Sequence, residues 1–259
     1  MVGSRVNPGS ASRAAVGLAA AVAAIGVALV LLALAPLGWR LGWWSYAVAL
    51  FTVIPASACT AAVAMALAAA TVVLAWSRLS WRTLAALVAV LMMGQALVYV
   101  PWHYGRLLRT LPPINDITTD PDHRPAFEAT LAAREADSEE REDTSEPELS
   151  RLQKAAYPDI APLRAAVPVA SAFDTALAVA RTMPGWTVVA VDRDRGRIEA
   201  SARTRWFGFT DDIVIRIRPE GDGCRVDARS ASRIGGHDIG VNAARIRTYV
   251  AALRNAMGQ

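Results

Sequence analysis

Between residues 1 and 110 the chain carries no Asp or Glu, and its only charged side chains there are seven arginines, from Arg5 to Arg109. All 23 acidic residues lie after position 110, against 20 of the 27 basic ones, so the second half sums to −3. A soluble single domain does not segregate charge in this way, and a disordered chain does not carry so much Ala, Val and Leu. The sequence pI of about 9.5 therefore reflects arginines beside apolar spans. It is no argument for nucleic acid, because the polar half is net acidic and carries no recognised binding motif.

The apolar half divides into three candidate membrane spans, over residues 14–37, 47–76 and 83–101; the first and third are near the ~20 residues that cross a bilayer core, and the second lies in an uncharged stretch too long for one upright helix. Pro101 is the expected stop of the third. Trp39, Trp43, Trp44, Trp76, Trp81 and Trp102 fall at span ends, as an interfacial aromatic belt requires. A cleaved signal peptide competes for the first span, with Ala33-Leu34-Ala35 as its site, but the apolar run exceeds the roughly 7–15 residues of a signal core. Pro55 is expected to kink the second span or mark its start. Gln95 is expected to make an interhelical hydrogen bond rather than line a path. No span holds an acid, Lys or His in its core, which disfavours coupled transport.

The polar half reads as a Pro/Asp-rich extended segment (111–133), an acidic linker or insertion (134–151) and an α+β domain (152–259). Residues 134–151 hold eight acids against three arginines, and Leu149 is their only large apolar side chain. That composition is expected to stay solvated. Beyond it, Ser171-Ala-Phe173-Asp174 has the form of a capping box, and a helix follows to Pro184-Gly185. Ile198/Ala200/Ala202, Ile213/Ile215/Ile217 and Cys224/Val226/Ala228 then alternate with polar residues. The expected fold is α-β-β-β-β-α, a four-stranded antiparallel meander with helices on one face. Its last helix opens near Asp238–Asn242. Arg203, Arg205, Arg216, Arg218, Arg225 and Arg229 share the other face, and like charges facing one another destabilise a sheet. Something acidic should cover them, and the 134–151 stretch is the expected source.

Four stretches, INDITTDP (114–121), AYPDIAPL (156–163), WFGFTDD (206–212) and RSASRIGGHDIGVNAARI (229–246), resemble the landmarks of the bacterial and chloroplast domain-of-unknown-function family DUF1499. The resemblance covers about residues 111–255 and implies a domain boundary, with hydrophobic spans often in front. It implies no activity.

Arg229, Ser230, Ser232, Arg233, Asp238, Asn242 and Arg245 are the candidate ligand-binding residues, since arginines and hydroxyls beside a helix N-terminus suit an anion. The competing account makes Asp238 a helix cap, the glycines turn formers, and Arg229 or Arg233 a partner of Asp211 or Asp212. Asp116, Asp120 and His237 are candidate acid–base residues, should their segments meet. No GxSxG, HExxH, Walker or Rossmann pattern appears, and the three histidines show no metal spacing. The two cysteines, Cys59 and Cys224, exclude a disulfide framework and a cysteine zinc site. No cofactor or metal is expected.

The leading expectation is a polytopic protein of a bacterial inner membrane whose outer domain binds an anionic ligand or a membrane-protein partner. The alternative is a membrane-anchored hydrolase using Asp/His acid–base residues. Arg5, Arg13, Arg78 and Arg82 outnumber Arg40, which favours a cytoplasmic N-terminus and an extracytoplasmic C-terminal domain; Arg106 and Arg109 count against it. Fusions after Gln259 should accordingly be active with alkaline phosphatase and dark with a fluorescent protein that folds only in cytoplasm. The reverse pattern would invert the topology.

Overall fold

The computed structural model describes residues 8–137 and 145–258, which divide into two compact units, Met1–Arg106 and Leu107–Gln259. In the first, three helices are long and apolar enough to cross a membrane: α1 (Pro8–Arg40), α2 (Tyr46–Ala75) and α3 (Trp81–Thr110). They meet through small residues. Ala21 and Ala28 of α1 and Ala61, Ala64 and Ala68 of α2 are fully buried beside Leu87 and Val90 of α3. A Cβ on Gly94 would stand 2.4 Å from the Met65 side chain, so only glycine permits that approach. Close backbones are what hold helices together where lipid is as apolar as leucine.

Two local expectations change here, and that for Pro55 holds. The hydrogen bond between helices comes from Ser57, whose Oγ donates to the Ala28 carbonyl at 2.7 Å. Gln95 is exposed, because Gly94 takes the contact position and the next residue points away. Pro101 lies inside α3 and does not end it. One missing N–H is tolerated in an otherwise regular apolar helix. At Pro55 the reset is visible as a π turn, Ala49–Val53, just ahead of the ring.

The second unit is built on one antiparallel sheet, in the order β1-β6-β5-β4-β3, with β2 also on β6. The strands are β1 (Asp116–Thr118), β2 (Leu163–Ala165), β3 (Trp186–Asp192), β4 (Arg197–Arg203), β5 (Thr210–Glu220) and β6 (Gly223–Ser232). The four strands of the expected meander are the last four, the three alternating runs and, before them, the Trp186–Val191 run. The sequence reading missed β1 and β2, whose three residues each are too short to show a period.

One sheet face carries the core. Ile198, Ile213, Ile215, Ile217, Cys224 and Val226 pack against α6 (Val169–Thr182) and α7 (Val241–Ala256), through Phe173, Tyr249 and Leu253. Tyr249 is fully buried, stacks on Trp186 at 5.3 Å, and donates its hydroxyl to the Ala176 carbonyl at 3.1 Å. The expected capping box at Ser171–Asp174 does not form. Pro168, held at φ −57°, already supplies the extended cap geometry, so α6 starts at Val169, and Asp174 pairs with Arg193 instead.

The acidic linker also needs correction. Residues 138–144 lie outside the described ones, but α4 (Leu131–Ala136) and α5 (Glu146–Ala156) flank them. Helix α5 buries Leu149 with Ile114, Ile117 and Ile246. Its Gln153 accepts the Thr118 N–H at 3.0 Å and donates to the Thr118 carbonyl. One side-chain amide thus closes the outer edge of β1, which would otherwise offer free backbone groups.

The β3–β4 turn sets a sharp test. Gly196 has φ +62°, and a Cβ there would stand 2.2 Å from the Ile217 carbonyl oxygen, while its own carbonyl accepts the Ile217 N–H at 2.7 Å. Gly196→Ala should cost about 1–3 kcal/mol. Hydrogen exchange on the full chain would show this as lost protection along β5; unchanged exchange at Ile217 would contradict it.

Candidate functional site

Asp212 and Asp227 are 0% exposed and Glu199 is 1% exposed, although all three sit on the sheet face away from α6 and α7. Strand alternation puts them there. Register then aligns Ala231, Asp212 and Ser201 in one row, Arg229, Val214 and Glu199 in the next, and Asp227, Arg216 and Arg197 in a third. Buried carboxylates must be paired or hydrogen-bonded, and each of these is.

Glu199 accepts the backbone N–H groups of Glu128 (2.8 Å), Ala129 (3.0 Å) and Thr130 (3.0 Å) and the Thr130 hydroxyl (3.1 Å). Asp212 accepts from Ser201 Oγ at 2.7 Å, from Arg233 Nε and Nη2 at 2.9 Å each, and from Arg134 at 3.3 Å. Asp227 meets Arg225, Arg216 and Arg218 at 2.8, 2.9 and 3.0 Å. Phe127 lies on the same face, with the Arg134 and Arg229 guanidiniums 4.5 and 4.7 Å from its ring centroid. The segment from β1 to α4 is therefore a lid of polar contacts over the sheet.

The acids that offset the arginine face come from this lid. Asp116 takes Arg229 Nη2 at 2.6 Å and Nε at 2.9 Å, with Arg124 at 3.0 Å. Asp120 takes Arg225, Arg216 and Arg218 at 2.8, 3.0 and 3.5 Å. Arg218 and Arg225 are direct cross-strand partners, as are Arg197 and Arg216. Asp120 and Asp227 interleave Arg216, Arg218 and Arg225, and Glu128 meets Arg197 at 2.6 Å. The 134–151 stretch was the expected source of this charge; its residues 138–144 lie outside the described ones, and the others contribute buried Arg134, a cation, and Asp137, 3.6 Å from Arg233. Pairing of β1 with β6 holds Asp116 and Asp120 in fixed register, which a loose acidic tail could not match.

The seven candidate ligand residues do not form one cluster. Arg229 and Arg233 are on the lid face with Asp116 and Asp212. Ser230, Ser232, Asn242 and Arg245 are on the helix face. There Asn242 accepts from Ser230 Oγ at 2.6 Å and donates to the Asn115 carbonyl and Ser232 Oγ, while Arg245 meets Asp211 at 2.6 Å. Asp238 accepts the N–H of Gly240 at 2.8 Å and of Asn242 at 2.7 Å, as a cap does. Burial pushes its carboxyl above the ordinary value in spite of those bonds. Register splits the set: Arg229 and Ser230 are adjacent in sequence and so face opposite ways.

The segments holding Asp116 and His237 do meet, since the Asp238 N–H donates to the Ile114 carbonyl at 3.3 Å and Asn115 bonds Gly235. Asp116 nevertheless faces arginines, not the imidazole. His237 Nδ1 accepts the Ile239 N–H at 2.9 Å, which assigns the proton to Nε2, and Nε2 has no partner among the described residues. Ile239 has φ +51°, unusual for a β-branched residue, and this turn holds it there. Among the described residues no group of His, Cys, Asp and Glu is placed to hold a metal ion.

The pairing of Arg233 with Asp212 was among the sequence expectations, but Glu199 and Asp227 were not singled out as buried charge partners. The available signal was their place in the arginine alternation: acids at those positions meet basic neighbours on the next strand.

Fold and site together define a class: an antiparallel sheet domain with a C-terminal helix and an ion-paired second face, following three apolar helices that could span a membrane. The family described as protein of unknown function DUF1499 matches residues 116–253, from β1 to the last turns of α7, and the chain belongs to it. Comparison with curated proteins and with solved structures gives no match.

Asp116 carries a pH prediction. Burial alone would raise its carboxyl, but Arg229, then Arg124 and Arg134, outweigh it and hold it below the ordinary carboxylate value. Its ionised form thus stabilises the fold above about pH 4, and that stabilisation is lost as pH falls through the lowered value. Asp116→Asn leaves a buried guanidinium unpaired and should cost about 3–5 kcal/mol. Denaturation of the full chain in detergent, repeated from pH 7 down to the acid limb, should show the loss at neutrality and a shallower acid limb. Equal stability of both forms at pH 7 would refute it.

Proposed function

We propose that this chain is a multi-pass protein of a bacterial inner membrane whose extracytoplasmic sheet domain is a binding or assembly module, not an enzyme. The observation that carries the reading is the fate of the candidate acid–base groups. Asp116 and Asp120 are each held by at least two arginines, so neither presents a free carboxylate to a substrate. The arginines proposed for an anionic ligand are likewise met by carboxylates of the same chain, at Asp116, Asp212 and Asp211. What stays open is surface. Strand β3 ends the sheet, and its Val189 and Val191 are exposed beside an irregularity between Val188 and Ala190. An exposed sheet edge with apolar side chains suits a protein partner that adds a strand.

The hydrolase reading keeps one supporting observation, the unpartnered Nε2 of His237. The two readings part experimentally. A photo-crosslinker placed at Val189 of the full chain in native membranes should give a discrete adduct that Val191→Glu abolishes. A panel of ester, phosphoester and peptide substrates should show no turnover by the purified full chain. A turnover that His237→Ala removes would replace the binding module with the enzyme.

A further inference from the structure

The β4–β5 connection, Thr204–Phe209, is an aromatic loop that the polar lid and the core both leave out. Trp206 is 48% exposed and meets the Phe207 ring edge-on at 5.5 Å. Phe207 is buried and stacks on Phe209 at 5.0 Å. The loop is rigid. Gly208, at φ +76°, donates its N–H to the Thr204 carbonyl at 3.0 Å, Thr204 and Phe209 bond through both backbone and side chain at 2.9 Å, and Arg203 donates to the Gly208 carbonyl at 3.1 Å. Among the described residues the indole makes no hydrogen bond. Arg205 beside it is exposed and makes no hydrogen bond or ion pair among the described residues. Between Arg203 and Thr210 there is no acid.

Register tells which end of the domain this is. Asp116 of β1 lies opposite Ala231, which lies opposite Asp212, which lies opposite Ser201. The row runs straight across the sheet, and both the 111–115 connection and the aromatic loop lie beyond the same end of it. They are three strand spacings apart, about 14 Å. Val241, 42% exposed at the start of α7, is at that end too, because the neighbouring Asn242 donates to the Asn115 carbonyl. The chain reaches this end directly from α3. At 1.5 Å per residue the stretch from Trp81 to Trp102 covers about 31 Å, close to the hydrocarbon thickness of a bilayer. Thr110 follows about 12 Å further on, and residues 111–115 add at most about 17 Å.

We propose that loop 204–209 docks on the bilayer surface, with Trp206 in the interface and Arg205 on anionic lipid headgroups. The chemistry is that of an interfacial anchor. An amphipathic indole with a free N–H belongs between water and acyl chains, and a long arginine keeps its charge at the headgroup level. The rigid loop presents Trp206 outward before contact, so docking costs little ordering. The inference goes beyond the partner-binding reading and stands whatever the module binds.

The test uses the full chain labelled with 5-fluorotryptophan in nanodiscs, either of phosphatidylcholine alone or of equal parts phosphatidylcholine and phosphatidylglycerol. The Trp206 signal is identified by its absence in Trp206→Phe. In the anionic discs it should broaden with a spin-labelled lipid and resist a soluble paramagnetic agent. Arg205→Gln should lower the docked-to-free ratio about fivefold, as expected for one arginine at an anionic surface. Hydrogen exchange of β5 confirms that each variant is folded. The proposal falls if Trp206 stays open to the soluble agent in both disc types. It also falls if Trp206 is shielded only in native membranes, which would assign the loop to a protein partner.

Discussion

Three carboxylates buried on the second face of the sheet decide how the rest of the domain is arranged. Glu199, Asp212 and Asp227 sit where strand alternation alone would expose them, and burial makes each one demand donors. Asp227 is met by Arg216, Arg218 and Arg225 of the sheet. For the other two, donors come from β1 to α4: the N–H groups of residues 128–130 for Glu199 and Arg134 for Asp212. Asp116 and Asp120 of the same segment return the pairing to Arg229, Arg216 and Arg225. Exchange in both directions locks the segment more specifically than apolar contact would, because each partner has one place where its charge is met. Such a layer is weak evidence for net stability, since desolvation offsets much of the Coulomb gain. Its product is register.

Half of this architecture was legible in the sequence, and the division follows from physics. Periodicity revealed β4, β5 and β6 and their core-facing residues, because Ile198, Ile213, Ile215 and Cys224 occupy one face at every second position. The apolar helices were legible from length and charge. Strands β1 and β2 were not, since three residues carry no period and their pairing with β6 is decided by tertiary contact. Helix α5 was hidden by its own acidity: Leu149 and Gln153 do the burying, and the acids around them suggested a solvated tail. For the site, the charge argument correctly demanded carboxylates over the arginine face and looked to residues 134–151, of which 138–144 lie outside the described residues. Among the described residues, Asp116 and Asp120 supply most of those carboxylates. Total charge favoured residues 134–151. Anchorage in register favoured Asp116 and Asp120.

The splitting of the last motif shows why a run of like chemistry is a poor guide to a site. Arg229, Ser230, Ser232 and Arg233 are four polar residues in five positions, and as a string they resemble an anion cradle. In a strand, successive residues face opposite ways. One subset completes the lid face and the other fastens α7 and residue 115 to the helix face, through Asn242 and Arg245. The motif is a joint between the two faces of one sheet, and its polar residues meet the demands of four different elements.

The near-absence of lysine bears on the same point. One Lys among 27 basic residues is a matter of composition and by itself says nothing about function. The geometry, however, uses what only arginine supplies. Arg233 spans both oxygens of Asp212 with Nε and Nη2, Arg229 grips Asp116 in the same way, and Arg229 and Arg134 lay flat guanidiniums beside Phe127. A lysine offers a point charge with no fork and no flat face, so it satisfies one oxygen and leaves the second unmet. In a layer this poor in water, an unmet carboxylate oxygen costs more than a missing hydrogen bond at a surface. The lid face therefore depends on guanidinium chemistry at those positions. On the exposed side the requirement is absent: the one lysine, Lys154, pairs with Asp122 in full contact with solvent, where a point charge serves as well.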